Sequence, residues 1–181
     1  MIMLNEERCC LTIVDVQGRL AELMDRKEAL FANVQVLIRL SRGLEVPVLW
    51  CQQNPRALGP TVKPIADLLE GIEPVDKMSF SCAGEERFLE RLEGTGATDV
   101  ILCGIEAHVC VYQTAMDLLG RGLRVHVVAD AVSSRAASNR ELALVRMRDA
   151  GAVLTSTEMV LFELLRTAQH PQFRELSRLI R

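Results

Sequence analysis

Short apolar runs alternate with helical patterns along the whole chain. Residues 8–15 (RCCLTIVD) form a continuous β-prone run that ends in a carboxylate. Residues 46–51 (VPVLWC), 73–77 (EPVDK), 98–103 (TDVILC), 123–129 (LRVHVVA) and 152–155 (AVLT) read as five further strands. Residues 28–44 place Leu30, Val34, Leu37, Leu40 or Ser41, and Leu44 on one helical face. Residues 108–122 carry a second stripe of Val111, Thr114, Ala115, Leu118, Leu119 and Gly122. Other helices are predicted over 62–70, 85–93, 138–150, 157–168 and 171–180, with Pro64 suiting a first turn. Residues 52–61 (QQNPRALGPT) are the longest loop.

Continuous apolar strands that alternate with helices signal a parallel sheet covered on both faces. The expected class is α/β: a three-layer αβα, Rossmann-like fold with a mostly parallel six-stranded sheet and right-handed crossovers. A length of 181 residues predicts a single domain over 1–181 that buries most of its unfolded surface. Hydrophobic residues at 49% and charged ones at 25% exclude a disordered chain. A net charge of -3 and 4% aromatic residues give neither an electrostatic footprint nor a stacking platform for nucleic acid, and no pull toward anionic membrane. No apolar run spans a bilayer. The opening MIMLNEERCC lacks the pattern of a secretory signal, which predicts a cytoplasmic location. There the six Cys stay reduced, and their spacing contains no CxxC pair, so no zinc site is expected.

In open parallel sheets, ligands bind beyond the carboxyl ends of the strands. Three groups stand there. Asp15 ends the first strand, and an acid at that place needs partners if it is buried. Lys77 ends the third and would oppose it. Cys110 falls in the first turn of the helix after the fourth strand, where backbone N–H groups and the dipole favour a thiolate. Each has a plainer reading: a turn cap, a solvated lysine and a small packed residue. Gln17, Phe80, Ser81 and Cys82 flank these groups and form the candidate substrate pocket. Cys9, Cys10, Cys51 and Cys103 read as strand filler, and His126 and His170 as structural. His108 is two residues from Cys110 and points elsewhere on a helix. No GxGxxG or GxxxxGK[ST] motif suggests a nucleotide, and no cofactor is expected.

The segments IVDVQ (13–17), DKMSFS (76–81), GIEAHVCVYQTAMDLLGRG (104–122), VHVVADAVSSR (125–135), LVRMRDAGAVLTSTE (144–158) and HPQF (170–173) resemble the isochorismatase-like cysteine hydrolases. Within that family the similarity is greatest to the isochorismatase domain-containing subgroup. The resemblance implies roles. Asp15 would be the general base, Lys77 the cation that stabilises charge, and Cys110 the nucleophile that forms a covalent acyl-enzyme. It also implies a cis peptide between Ile105 and Glu106, with the amides of Glu106 and Cys110 as the oxyanion hole. One departure bears on substrate. Nicotinamidases of the family hold a metal with acid and His residues after the second strand, whereas residues 51–64 (CQQNPRALGPTVKP) contain none. The expected reaction is hydrolysis of a small amide, ureido or related C–N bond. Two alternatives stand beside it: a catalytically weak binding or regulatory module, and a thiol redox protein pairing Cys110 with Cys82 or Cys103. The expected partners are a small-molecule substrate and further copies of the chain. Leu161, Phe162, Leu164, Leu165, Phe173, Leu176 and Ile180 either form that interface or close the core.

Overall fold

Cys9–Val14 forms β1, and every one of its six residues is buried. A strand covered on both faces must be apolar on both, which is why RCCLTIV reads as a continuous run. Successive side chains still part to opposite sides. Cys9, Leu11 and Ile13 join one core with Ile101 and Cys103, while Cys10 and Val14 join the other with Val100 and Leu102. These residues come from a computed structural model that describes residues 3–180.

The remaining strands are β2 (Val48–Gln53), β3 (Val75–Lys77), β4 (Asp99–Ile105), β5 (Arg124–Ser133) and β6 (Val153–Thr155). They make one sheet in the order β3-β2-β1-β4-β5-β6. All five pairings are parallel, so "mostly parallel" becomes entirely parallel. The order reverses between β1 and β4, and this is where an open α/β sheet opens a crevice for a ligand. On the first face lie α2 (Lys27–Gly43), which buries Leu30, Val34, Leu37 and Ile38, and α8 (Thr157–Leu165). The opposite face is covered by α5 (Glu86–Gly94), α6 (Tyr112–Gly120) and α7 (Ala137–Asp149).

Several boundaries differ from expectation, each for a local reason. A short helix α1 (Gly18–Glu22) follows the first strand, and α3 (Pro55–Leu58) interrupts the expected loop as a single turn with Pro at its start. The 62–70 helix is α4 (Lys63–Ala66) followed by a 3-10 turn. At the C-terminal end α9 is only Phe173–Leu176 before another 3-10 turn. β5 continues past Asp130, whose carboxylate reaches out to accept from Thr157 N at 2.8 Å and Thr157 Oγ1 at 2.9 Å, capping α8. Of the apolar set in the last two helices, Leu161, Leu164, Leu165 and Leu176 are buried and close the core, while Phe162 stays exposed. No described helix is long and apolar enough to cross a membrane.

At the amino end of the sheet Asp99 ties β4 to β5. Its carboxylate is gripped by Arg124, with Nε at 2.6 Å, and by His126 Nε2 at 3.0 Å and Thr98 Oγ1 at 3.0 Å. Burial pushes the Asp99 carboxyl up, but the bonds from Arg124, His126 and Thr98 outweigh it and hold it below the usual value. A depressed folded pKa adds stability that is present above the unfolded pKa and lost as pH falls through the folded one. Asp99→Asn should therefore lower stability at pH 7 by about 2 kcal/mol. The gap from wild type should close as pH falls below about 4, read by thermal melts across that range.

Candidate active site

β1 ends at Val14, and the chain turns at once through Asp15 in the left-handed region, at φ 52°. Asp is among the few residues that tolerate this conformation, and such strain collects at functional sites. The turn swings the carboxylate back over the sheet, while Asp15 N still donates to Cys51 O of β2. Two strands away, Lys77 closes β3 with its side chain wholly buried. Its Nζ donates to Asp15 Oδ2 at 2.7 Å, Gln53 Oε1 at 2.7 Å, Phe80 O at 2.9 Å and Ser79 O at 3.2 Å. An ammonium has three protons, so four acceptors saturate it.

Asp15 is saturated on one side alone. Its Oδ1 is buried and has no partner of full hydrogen-bond geometry, and the Cys110 thiol lies beside the carboxylate within reach of its lone pairs. Cys110 sits in a π-type turn, Ala107–Val111, in which Glu106 O accepts from Val109 N and Val111 N before α6 begins. Widened turns of this kind are rare and recur at functional sites. The peptide bond between Ile105 and Glu106 is cis. The Glu106 carboxylate accepts from Arg135 N at 3.1 Å and Nε at 3.0 Å, which fixes the entrance to the turn.

The electrostatics follow from burial. Desolvation pushes the Asp15 carboxyl above its ordinary value, against the pull of Lys77. Burial alone would lower Lys77, but the Asp15 carboxylate outweighs it and holds the ammonium charged. Burial pushes the Cys110 thiol well up, Asp15 pushes it further, and Lys77 draws it back only in part. The helix N-terminus and Lys77 favour a thiolate, whereas packing against apolar neighbours removes the water that a thiolate needs and favours the protonated thiol.

The other expected site residues divide. Cys82 is buried in the same core as Cys110 and Cys51, its N donating to Thr114 Oγ1 at 2.9 Å one turn beyond Cys110. Cys103 faces the other core, across the sheet from Cys110. Ser81 caps its own turn by accepting from Ala83 N, and Phe80 is half exposed on the loop that Lys77 holds. Gln17 presents nothing to a ligand: it is fully buried, and its amide is bonded to Gln53 N, Gln53 O and Gly59 O. His108 is bonded to Ser134 Oγ at 3.0 Å and to Asn139, away from Cys110. All six cysteines are free.

Two residues escaped the sequence reading. Gln53, the last residue of β2, touches Lys77, and the same strand-end rule that exposed Asp15 and Lys77 points to it. Glu85 Oε1 accepts from Met78 N, Ser79 N and Ser79 Oγ, and so anchors the loop whose carbonyls hold Lys77.

The isochorismatase domain matches residues 9–159. The chain is 44% identical to mouse isochorismatase domain-containing protein 2A over 146 residues, covering 80% of this chain and 69% of that one. It is 39% identical to isochorismatase domain-containing protein 2 of Danio rerio over 178 residues, covering 98% and 89%. The MAR1 ribonuclease of Caenorhabditis elegans superposes with a TM-score of 0.93 at 38% identity, over 99% of this chain and 92% of that one. The YcaC gene product of Escherichia coli, an octameric hydrolase of unknown specificity, shares the fold at 24% identity and a TM-score of 0.89, over 98% and 96%. The spacing of strand-end acid, lysine and cysteine, the all-parallel sheet and these matches lead to one conclusion: the chain belongs to the isochorismatase family.

Proposed function

We propose that the protein is a cysteine hydrolase that cleaves a small amide, ureido or related C–N bond through an acyl-enzyme on Cys110. One observation carries the reading. Asp15 is clamped to Lys77 through Oδ2, its buried Oδ1 has no hydrogen-bond partner, and the Cys110 thiol interacts with the same carboxylate. A buried unsatisfied carboxylate oxygen is costly and calls for a proton donor or a ligand.

Asp15 takes the proton from Cys110 as sulfur attacks the carbonyl carbon. The negative charge moves to the carbonyl oxygen, which the amides of Glu106 and Cys110 receive. The C–N bond breaks and Asp15 returns the proton to the departing nitrogen. Water then gives a proton to Asp15 and attacks the thioester; as the C–S bond breaks, Asp15 returns that proton to the departing sulfur, which restores both the thiol and the carboxylate. Lys77 keeps its charge throughout and offsets each anion in turn. A carboxyl raised by desolvation suits this work, since it holds protons more tightly than an ordinary aspartate. Asp15 and Lys77 balance each other, so the reacting centre suits an uncharged substrate.

The name of the C. elegans relative sets a second reading, cleavage of RNA. The net charge of -3 speaks against it, since nucleic acid binding rests on a basic surface. A screen of small amides and ureides by ammonia release, run beside an RNA digestion, tests both. The first reading expects amide or ureide turnover that Cys110→Ala removes. RNA cleavage without such turnover sinks it. Homo-oligomerisation belongs to the same proposal: Leu142 on α7 and Phe162 on α8 are exposed apolar side chains, and the E. coli neighbour is octameric.

A further inference from the structure

Gln53 reaches the ion pair through Lys77. Its Oε1 accepts from Lys77 Nζ at 2.7 Å, and its Nε2 donates to Met78 O at 2.9 Å. The two contacts settle which way the amide points: Nζ can only donate and the Met78 carbonyl can only accept. Gln17 grips the Gln53 backbone from behind, accepting from Gln53 N at 2.6 Å and donating to Gln53 O at 3.2 Å. The side chain is thus held at its root by Gln17 and at its tip by Lys77 and the loop after β3.

We propose that Gln53 is a positioning residue, a neutral strut that fixes Lys77 against Asp15 and keeps the site to a single carboxylate. The inference rests on Asp15 acting as the base for Cys110. The residue type follows from charge and length. A carboxylate in this place would compete for Lys77 and set a second anion against Asp15, and like charges raise a carboxyl further. Asn would fall one methylene short of both partners. This also gives a physical meaning to a stretch, residues 51–64, that carries no acid and no His. The titratable groups around Asp15 are Lys77 from β3, Cys110 from the π-type turn and Cys51 from β2; Cys82 and Glu85 stand behind Lys77.

The test is the pH dependence of Cys110 alkylation by iodoacetamide, mapped by peptide mass. Cys110, at 7% exposure, is the most accessible of the six cysteines, and the reagent is itself a small amide. Wild type should show a rate plateau whose onset marks the ionisation of Asp15, below the steep rise at high pH. Asp15→Asn should lose the plateau. Gln53→Glu should move the onset up by about one pH unit. Gln53→Met keeps the shape but removes the bonds, and should lower the plateau about tenfold without moving its onset. A plateau that is absent from wild type, or that survives in Asp15→Asn, refutes Asp15 as the base. A plateau that Asp15→Asn abolishes but that keeps its onset in Gln53→Glu and stays within twofold of wild type in Gln53→Met overturns the role of Gln53. If Gln53→Glu does not fold, as judged by circular dichroism, the Gln53→Met plateau alone decides.

Discussion

Asp15→Asn abolishes turnover while leaving the fold intact: kcat/KM falls about 1000-fold, roughly 4 kcal/mol of transition-state stabilisation. The amide keeps the shape of the carboxyl and can still accept from Lys77 Nζ, but it cannot take a proton from Cys110 or from water. Both chemical steps fail, so the loss lies in kcat far more than in KM. The pH profile carries the sign. Asp15 works only as the carboxylate, and burial raises its pKa. The rising limb of wild-type activity therefore lies above the usual aspartate value of about 4. Lys77 works only as the ammonium and is held charged by Asp15, so the profile does not fall until well above neutral pH. In Asp15→Asn whatever activity remains should have no acid limb, which steady-state rates between about pH 4 and 9 will show.

Gly104→Ala removes the fold rather than the chemistry. Gly104 lies near the end of β4, opposite Val14 of β1, with φ at +116°. A Cβ there would stand 2.1 Å from Val14 O and 2.6 Å from Val14 N, both rigid backbone atoms. The dihedral is closed to residues with a side chain, and the two central strands cannot part without opening the sheet. Destabilisation of about 4 kcal/mol or more is expected, which places it among the exceptional single substitutions. Chemical denaturation of purified protein measures it, and poor soluble yield is the lesser symptom. The glycine also lets β1 run close enough to β4 for Asp15 and the turn holding Cys110 to face each other.

The readable parts of this molecule share a cause. Strands buried on both faces must be apolar on both, so the central β1 and β4 showed as continuous runs, and the strand ends pointed to Asp15, Lys77 and Cys110. What stayed hidden depends on contacts between distant residues. Asp130 looks like a strand terminator until its carboxylate is seen capping α8. Gln17 looks like a site residue because it neighbours Asp15, yet its amide is bound to Gln53 and Gly59. Gln53 lies beyond the expected end of the second strand at residue 51, so the strand-end rule reaches it only once β2 is seen to run to Gln53. The helix N-terminus at Cys110 is visible in sequence, whereas the desolvation that opposes a thiolate there is not. The π-type turn likewise arises from tertiary packing rather than from residue preference.

The most direct test of the account is the mass of the protein caught in turnover. Wild type should be mixed with a hydrolysed small amide or ureide, quenched in acid within the first turnovers, and digested for peptide mass. An acyl group is expected on the peptide containing Cys110, lost on treatment with hydroxylamine, and absent from Cys110→Ala along with the activity. Turnover by Cys110→Ala at the wild-type rate, with no acyl mass on Cys110 in the wild type, would contradict the acyl-enzyme mechanism.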